Sequence, residues 1–293
     1  MTVFVAVAEE ESFAGGARRL AMSPPAVSRA IAALEARLGV KLLSRTTRFV
    51  RVTEAGQRYL DDARRIIADV DAADEASAGI NGAPRGQLSV TAPVLFGKMF
   101  VLPGIVDYLQ RYPEMEVAAL FLDRVVNLLE EGMDAGVRIG ALPDSSMKAI
   151  TVGHVRRVVC ASPAYLEQYG TPATPADLAR HTVVAAINVT TAAEWKFMHA
   201  GQAVTTKIKP RLTVTSNDGA IDAVRQGFGL SRLMSYQVAP LVESGELRIV
   251  LDAFEAPRLP LSVVHREGRY ASAKVRTFVD LMVARLRAEK SLN

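Results

Sequence analysis

The side chains that most often carry catalytic or metal chemistry are few and scattered in this 293-residue chain. Its four histidines (His154, His181, His199 and His265) have no metal-ligand spacing among them. Its single cysteine, Cys160, excludes an internal disulfide framework and lies in the apolar run VVCAS, which favours a small buried side chain over a redox sensor. No G-x-S-x-G elbow and no complete dinucleotide fingerprint occurs. The sequence therefore predicts no catalytic or metal site and no cofactor.

Basic side chains are instead grouped near the start of the chain. Residues 1–53 contain eight Lys or Arg and four acids, whereas residues 54–78 contain three basic and seven acidic side chains. A basic head followed by an acidic helix is typical of a DNA-binding head on a dimerisation stalk, because DNA phosphates attract Lys and Arg. On charge alone, ordinary surface variation explains this asymmetry equally well.

Residues 24–38 have the pattern of a DNA recognition helix. Ser23 predicts an N-cap hydroxyl, Pro24 suits the first helical position, and Gly39 suits a left-handed end. An apolar stripe at helical spacing predicts the inner face: Val27, Ile31, Leu34 and Leu38. The opposite face is small and polar enough to approach base edges: Pro25, Ala26, Ser28, Arg29, Ala32 and Ala33.

Two shorter helices, at 2–10 and 12–20, precede this one, and a basic hairpin follows it. Gly15 and Gly16 each cost a helix up to ~1 kcal/mol, so they predict close packing at that point. Ala21 stands in the turn, where a positive φ would favour glycine. Residues 40–52 predict a two-stranded wing whose arginines meet phosphates or a minor groove, with a solvated hairpin as the alternative: Arg45, Arg48 and Arg51.

Thr53 caps a long predicted helix, residues 54–80, that has a coiled-coil seam. Its seam residues step by four, three, four and three: Tyr59, Ala63, Ile66, Val70 and Ala73. This spacing predicts pairing with a second copy of the chain. The alternative is a helix that lies on its own domain. The run NGAPRGQ then breaks the pattern, and we assign residues 81–86 to a hinge.

From residue 87 onward, short apolar runs alternate with amphipathic helices, which predicts parallel α/β structure. We expect strands at 87–92, 117–122, 135–139, 155–161 and 261–266, helices at 96–111, 125–131, 163–168 and 271–290, and an antiparallel section at 195–214. These elements predict two α/β subdomains, 87–160 with 262–293 and 161–261. The chain would cross between them near Cys160 and Leu261.

The same residues carry a family resemblance. The blocks SFAGGARRLAMSPPAVSRAIAALEARLGVKLLSRTTR, VTEAGQRYL, TAPVLFGKMFVLP, DRVVNLLEEGMDAGVRIGALPDSS, CASPAYLEQYGTPATPADL and SNDGAIDAVRQGFGLS resemble the LysR-type transcriptional regulators, in the order that this family has. The resemblance implies a winged helix-turn-helix, a linker-helix dimer, and an effector domain similar to periplasmic binding proteins. It further implies tetramers and a small-molecule inducer bound between the subdomains.

Carried over by position, the resemblance implies base contacts by Ser28 and Arg29, with Pro25 and Ala26 beside them. It assigns the wing to Arg45, Thr46 and Arg48. Gly15-Gly16 and Ala21 depart from the family's usual alanines and glycine. Relatives commonly have a few more residues before the first helix, so a natural start at Met1 and one upstream of Met1 both stay open.

The effector is expected where strands end and helices begin. Backbone amides at two such starts favour an anionic or carbonyl-bearing ligand, although Asp218 occupies some of the positive end. The candidate lining residues are Pro93, Val94, Leu95, Phe96, Thr190, Ser216, Asn217 and Asp218. Arg138 is a candidate counter-charge, with a structural ion pair as the alternative. Trp195 is assigned either to the cleft wall or to the core.

Several functional classes are disfavoured. The apolar start MTVFVAVA has no basic residue and meets Glu9, Glu10 and Glu11 at once, which does not fit a signal peptide. No apolar run reaches the ~18–20 residues that span a bilayer. We therefore expect a cytoplasmic regulator that binds double-stranded DNA and contacts RNA polymerase. The rival is a small-molecule-binding protein or an enzyme on a binding-protein-like core.

Overall fold

The computed structural model of the chain describes residues 1–45, 50–77, 83–124, 126–128, 130–142, 147–186, 194–266 and 272–292. They form two compact units, Met1–Gly82 and Ala83–Asn293, and each has an apolar core of its own. The division between the units falls within the segment 81–86. Among the described helices, none has both the length and the apolar composition that a membrane crossing requires.

The first unit begins with a helical triad around one small core: α1 (Thr2–Glu9), α2 (Phe13–Arg19) and α3 (Pro24–Leu38). The Ser12 hydroxyl caps α2 by accepting from the Gly15 amide at 3.1 Å. A Cβ on Gly16 would lie 2.8 Å from Val7 Cγ2, so this glycine lets α2 approach α1 closely. The close packing that the glycine pair predicts is therefore present.

The turn between α2 and α3 has a backbone conformation that glycine would adopt more easily. Ala21 has a φ of 51°, in the left-handed region. Its amide donates to the Arg18 carbonyl, and the Met22 amide donates to the Ala17 carbonyl at 2.9 Å, so the turn is fixed by hydrogen bonds. The helix pair thus holds a strained alanine at the position where the sequence suggested one.

We expect Ala21→Gly to stabilise the first unit by about 1 kcal/mol, because glycine removes the left-handed penalty. Hydrogen exchange of residues 1–40 in the full-length protein, read against urea concentration, measures the change. The matched control is Ala17→Gly, at a buried position inside α2, which should cost about as much as Ala21→Gly gains. Equal loss of protection in both variants would contradict the account.

A two-stranded hairpin and a long helix complete the first unit: β1 (Leu43–Arg45), β2 (Val50–Val52) and α4 (Glu54–Ser77). The strands are antiparallel, with Leu43 opposite Val52, as predicted for a wing. Thr53 joins wing to helix, because its hydroxyl donates to the Lys41 carbonyl at 2.8 Å and accepts from the Gly56 amide at 3.0 Å.

The predicted seam of α4 is divided between two environments. Tyr59 meets Phe4 edge-on at 5.5 Å, and Ala63 is buried in the core of the first unit, so our assignment of both to a dimer seam needs correction. Ile66 and Val70 are 45% and 53% exposed, and they remain available to a partner. The side chain of Ala73 lies outside the described residues. The first turns of α4 therefore pack against the core of their own unit.

The second unit is α/β throughout. Its strands are β3 (Gly86–Ala92), β4 (Met115–Phe121), β5 (Ala135–Ile139), β6 (Met147–Val155), β7 (Arg157–Ala161), β8 (Val184–Ala186), β9 (Glu194–His199), β10 (Gln202–Lys207), β11 (Leu212–Val214), β12 (Leu230–Met234), β13 (Arg248–Val250) and β14 (Leu259–Arg266). Its helices are α5 (Val94–Phe96), α6 (Leu102–Arg111), α7 (Pro163–Tyr169), α8 (Asn217–Arg225), α9 (Ser235–Glu243) and α10 (Ala273–Ala288).

The first subdomain is built on a five-stranded sheet of order β4-β3-β5-β14-β6, parallel on one side and antiparallel on the other. Helix α10 covers it with the face that its sequence pattern predicts: Val275, Phe278, Val279, Met282 and Leu286. Between α5 and α6 the helix widens into a π-helical turn, Gly97–Val101. Pro103 follows that turn and has no amide to donate, which explains the predicted irregularity near this residue.

The second subdomain contains the three-stranded sheet β12-β7-β13, and the parallel pair β11-β8 joins it through a bridge from Val183 to Leu230. Strands β9 and β10 form the predicted antiparallel hairpin, but β11 pairs in parallel, so our antiparallel section ends too late. Trp195 and Phe197, both in β9, are buried, so Trp195 belongs to the core.

Two other expectations are wrong. The described residues within 125–131 are not helical: residues 128, 130 and 131 lie in turns, and Arg138 Nη2 donates to the Val126 carbonyl at 2.8 Å. The chain also leaves the first sheet at Arg156, between β6 and β7, and returns between β13 and β14. Cys160 and Leu261, where we expected the crossovers, both lie inside strands, because the apolar run around residue 155 is two strands that belong to different sheets.

Candidate nucleic-acid interface and ligand cavity

Helix α3 is fixed by one face and free on the other. Val27, Ile31 and Leu34 are buried as predicted, whereas Leu38 is 39% exposed at the end of the helix, where Gly39 turns the chain at a φ of 68°. The predicted contact face is open to solvent: Pro25 and Arg29 are exposed, and Ala26 and Ser28 are half-buried. A small face with one arginine can enter a major groove.

Ser23 stands at the N-cap of α3 in an extended conformation, but its hydroxyl makes no cap hydrogen bond. The reason is that Pro24 and Pro25 have no amide hydrogen, and the Ala26 amide donates to the Ser23 carbonyl at 2.9 Å. Our expectation of a capping hydroxyl is therefore wrong. The exposed hydroxyl is left beside the contact face, where it can meet a phosphate.

The wing presents Arg51 on the exposed side of β2, directly across from Ser44 in β1. The backbone of Arg45 is part of β1, but its side chain lies outside the described residues, as do Thr46 and Arg48. Arg51 is thus the wing arginine whose position the structure describes.

Glu35 ties α3 to the base of the wing. Its side chain is 6% exposed and accepts from the amides of Leu42 and Leu43 at 2.9 and 3.1 Å and from Lys41 Nζ at 2.7 Å. Burial disfavours its charged form, but these three bonds outweigh burial and lower the pKa of Glu35. The carboxylate therefore sets the position of the wing relative to the helix.

The second unit contains a cavity of about 310 Å³ between its two subdomains. Both predicted strand-to-helix starts contribute to it, together with the segment that follows β4. The described lining residues are Val94, Leu95, Leu122, Asp123, Arg124, Thr215, Ser216, Asn217 and Asp218. A mostly apolar wall with a few polar groups is typical of small-molecule sites.

Two of the backbone amides at these starts, those of Val94 and Gly219, are already bonded within the chain. Asp123 Oδ1 accepts from the Val94 amide at 3.0 Å, and Oδ2 accepts from Asn217 Nδ2 at 3.2 Å. The Gly219 amide donates to Asp218 Oδ1 at 3.0 Å and to Ser216 Oγ at 3.3 Å. The Val94 and Gly219 amides are therefore not open to an anionic ligand, and the anionic or carbonyl-bearing effector stays a prediction.

Comparison with models of known protein families identifies the family of this chain. Residues 1–57 match the model described as the bacterial regulatory helix-turn-helix protein of the lysR family, and residues 81–287 match the LysR substrate binding domain. This chain belongs to the LysR family of transcriptional regulators. It therefore has a DNA-binding head and an effector-binding domain, and the fold above agrees with both.

Similar LysR-type proteins span the whole chain. An HTH-type transcriptional regulator of Xanthomonas campestris pv. campestris is 34% identical over 289 residues, which cover 97% of this chain and 84% of the relative. The solved structure of CrgA, a LysR-type regulator from Neisseria meningitidis, is 31% identical, covers 97% of each chain and has a TM-score of 0.63. Full-length AphB of Vibrio cholerae, at 23% identity and a TM-score of 0.63, shares the fold over 96% of this chain and 97% of its own.

The cavity of this LysR-type chain contains some of the residues that the sequence indicated. Val94, Leu95, Ser216, Asn217 and Asp218 line it. Pro93, at the N-cap of α5, is outside the described lining, and Thr190 lies outside the described residues.

Two further candidates serve the core or the local structure. Phe96 is wholly buried against Phe100 and Tyr236, so it supports the cavity without facing it. Arg138 donates to the Val126 carbonyl, and burial lowers the pKa of its guanidinium, so it is a structural residue at the end of β5. Cys160 is buried, and burial raises the pKa of its thiol to about 12, which agrees with a small apolar role.

Asp123 and Glu35 are the functional residues that the sequence did not indicate. Asp123 follows β4 and lies between the strand predicted at 117–122 and the helix predicted at 125–131, where the sequence pattern indicated no site. Glu35 falls inside the recognition helix, where an acid is ordinarily a solvated residue. A signal did exist for Glu35, because it follows Ile31 by four positions and thus lies on the buried side of α3.

We expect the wing attachment of this regulator to weaken in acid. The folded pKa of Glu35 is below its ordinary value of 4.5, so its contribution is complete above that pH and is lost as pH falls through the folded pKa. Hydrogen exchange of residues 40–45, corrected for the intrinsic rate, should accelerate over that range. Glu35→Ala should remove this pH dependence and cost about 2–3 kcal/mol at neutral pH, because the Leu42 and Leu43 amides lose their acceptor.

The control for that experiment is Glu54→Gln, since Glu54 is an exposed acid that pairs with Arg58 within α4. It should leave exchange in residues 40–45 unchanged at every pH. An acid response that survives Glu35→Ala would assign the effect to another group.

Proposed function

We propose that this LysR-type regulator acts in the cytoplasm and binds an interrupted palindrome upstream of a target promoter. The observation that carries the proposal is the exposed face of α3, on which Arg29 is open to solvent, together with the exposed Arg51 of the wing. Within the described residues Arg29 has no ion-pair partner, so its guanidinium is available to a base or a phosphate. Ser28, Pro25 and Ala26 would approach the base edges, and Ser23, Arg45, Thr46 and Arg48 would complete the contact.

We further propose that α4 pairs with α4 of a second copy, so that two heads meet half-sites related by two-fold symmetry. Ile66 and Val70 support this assignment, because they are large apolar side chains that the first unit leaves exposed on one side of the helix. Dimers would associate further into a tetramer, and the bound assembly would contact RNA polymerase.

Ile66→Asp is expected to convert the dimer to monomer at micromolar concentration, since it places a charge in the middle of an apolar seam. Analytical ultracentrifugation of the full-length protein measures the change. Ile66→Leu keeps the apolar surface and is the matched control, which should sediment as the wild type does. A dimer that persists in Ile66→Asp would refute this seam.

We also propose that a small molecule bound in the cavity changes the angle between the two subdomains, and with it the spacing of heads and the bend in the DNA. The cavity is lined by residues from both subdomains, so a ligand there would contact both of them. Pro93 and Thr190 stay candidate effector contacts. The named relatives are transcriptional regulators, which supports a domain that senses its ligand without converting it.

The salt dependence of DNA binding tests the proposal. Fluorescence anisotropy of the full-length protein on DNA from upstream of its own gene should give a log affinity that falls steeply with log salt. Each phosphate contact contributes ~0.9 to the slope. Arg51→Ala should reduce the slope by about that amount per head. Affinity that does not respond to salt would contradict a DNA-binding role for these arginines.

A further inference from the structure

Asp123 holds a position in the cavity that determines what the cavity can bind. It belongs to the first subdomain, and its carboxylate bonds the Val94 amide of that subdomain and the Asn217 side chain of the second. Each carboxylate oxygen can accept two hydrogen bonds, so Asp123 retains acceptor capacity toward the cavity that it lines. A ligand therefore meets an acceptor that carries negative charge.

The other charged residues of the described lining do not outweigh the negative charge that Asp123 brings to the cavity. Arg124 uses both Nη atoms on Glu131, at 2.6 and 2.5 Å, so its charge is already matched. Asp218 is a second lining acid, and its carboxylate is bonded to the start of α8. Lys98 lies close enough to help lower the pKa of Asp218, after the larger effect of the Ser216 hydroxyl. An entering anion would face two carboxylates.

Resting on the proposed effector cavity, we propose that its ligand is an organic ammonium compound whose cationic nitrogen donates to Asp123 and whose carbon chain packs on Val94, Leu95 and Leu122. The charge-assisted bond favours a cation over an equally shaped neutral molecule, and the same charge repels a carboxylate. The apolar lining residues pack against the carbon chain of the ligand equally well whichever head group the ligand has.

This ligand class also indicates how binding reaches the rest of the domain. Asp123 Oδ2 and Asn217 form a hydrogen bond that crosses from one subdomain to the other. An ammonium group at Oδ2 competes with Asn217 for that oxygen, or draws the two residues together around itself. In either case the hydrogen bond between Asp123 and Asn217 depends on the ligand. Ligand binding is thereby coupled to the angle between the two subdomains.

Three probes of equal length test the proposal: n-butylammonium, n-butanol and butyrate. Their binding to the full-length protein is measured by saturation-transfer NMR titration. The wild type should prefer butylammonium to butyrate at least tenfold, with butanol between them. Asp123→Asn keeps the shape of the side chain and removes the charge, so it should compress the preference to less than threefold. Asp222→Asn removes an equal charge from an exposed site on α8 outside the described lining, and it should keep the full preference.

The proposal is overturned if butyrate binds as tightly as butylammonium, if none of the probes binds, or if Asp123→Asn retains the tenfold preference. DNA binding by the same preparations, measured without any probe, separates this result from the proposed function. Intact DNA binding with the wrong ligand preference contradicts the ligand class alone, and absent DNA binding contradicts the proposed function.

Discussion

Arg29→Ala is expected to weaken binding to the cognate DNA site by about 1–3 kcal/mol and to relax sequence preference at one position of each half-site. Arg29 is exposed on the small face of α3, whose other side is held by Val27 and Ile31, so the helix presents it without support from neighbouring side chains. A guanidinium in a major groove donates two hydrogen bonds to a guanine, and alanine donates none.

Arg51→Ala is the matched comparison, because Arg51 is an equally exposed arginine that lies on the wing. It should weaken binding to every sequence by a similar factor, as the loss of a phosphate contact does. Competition titrations with cognate and scrambled DNA distinguish the two effects. If Arg29→Ala lowered affinity for both DNAs equally, Arg29 would be a phosphate contact, and base reading would fall to Ser28 and its neighbours.

Gly56→Ala is expected to destabilise the first unit by about 3 kcal/mol and to abolish DNA binding at micromolar concentration. A Cβ on Gly56 would lie 2.1 Å from the Leu42 carbonyl oxygen and 2.7 Å from Val52 Cγ1. The carbonyl cannot yield easily, because it accepts from the Thr53 amide at 2.9 Å. The loss of stability should be at the upper end of the range usual for overpacking, because the added methyl group meets backbone and neither the helix nor the wing can shift alone.

Gly104→Ala is the control for Gly56→Ala. It makes the same change inside a helix, but the nearest atom is the sulfur of Met282, a flexible side chain. It should leave DNA binding intact and alter thermal unfolding little. Circular dichroism and DNA anisotropy on both variants measure the two effects. Normal DNA binding by Gly56→Ala would show that wing and linker helix need not be held together at this joint.

Local signals in the sequence predicted the first unit well. Pro24 and Gly39 delimit α3 in the chain and in the structure, because proline and glycine restrict the backbone by themselves. The glycines of α2 and the alanine at position 21 likewise pointed to the close helix contact and the left-handed turn. Such features depend on a few adjacent residues, so no knowledge of distant contacts is needed.

Features that depend on distant partners were predicted less well. Residues 125–131 have a helical pattern, but Arg138 captures the Val126 carbonyl that a helix would use. Tyr59 and Ala63 continue the spacing of the seam, yet the core of their own unit takes them. Asp123 becomes a cavity residue only when Val94 and Asn217, which are far from it in the chain, meet its two oxygens. The spacing of apolar residues predicts that one side of a helix is buried, but it does not identify the residues against which that side packs.

Selection of sites from random-sequence DNA by the full-length protein tests the central claim most directly. The account predicts that the wild type enriches an interrupted palindrome, whose half-sites are separated by about one helical turn or a multiple of it. Arg29→Ala should lose preference at the same position in both halves. Enrichment of no motif, or of one without two-fold symmetry, would contradict a paired recognition helix as the function of residues 24–38.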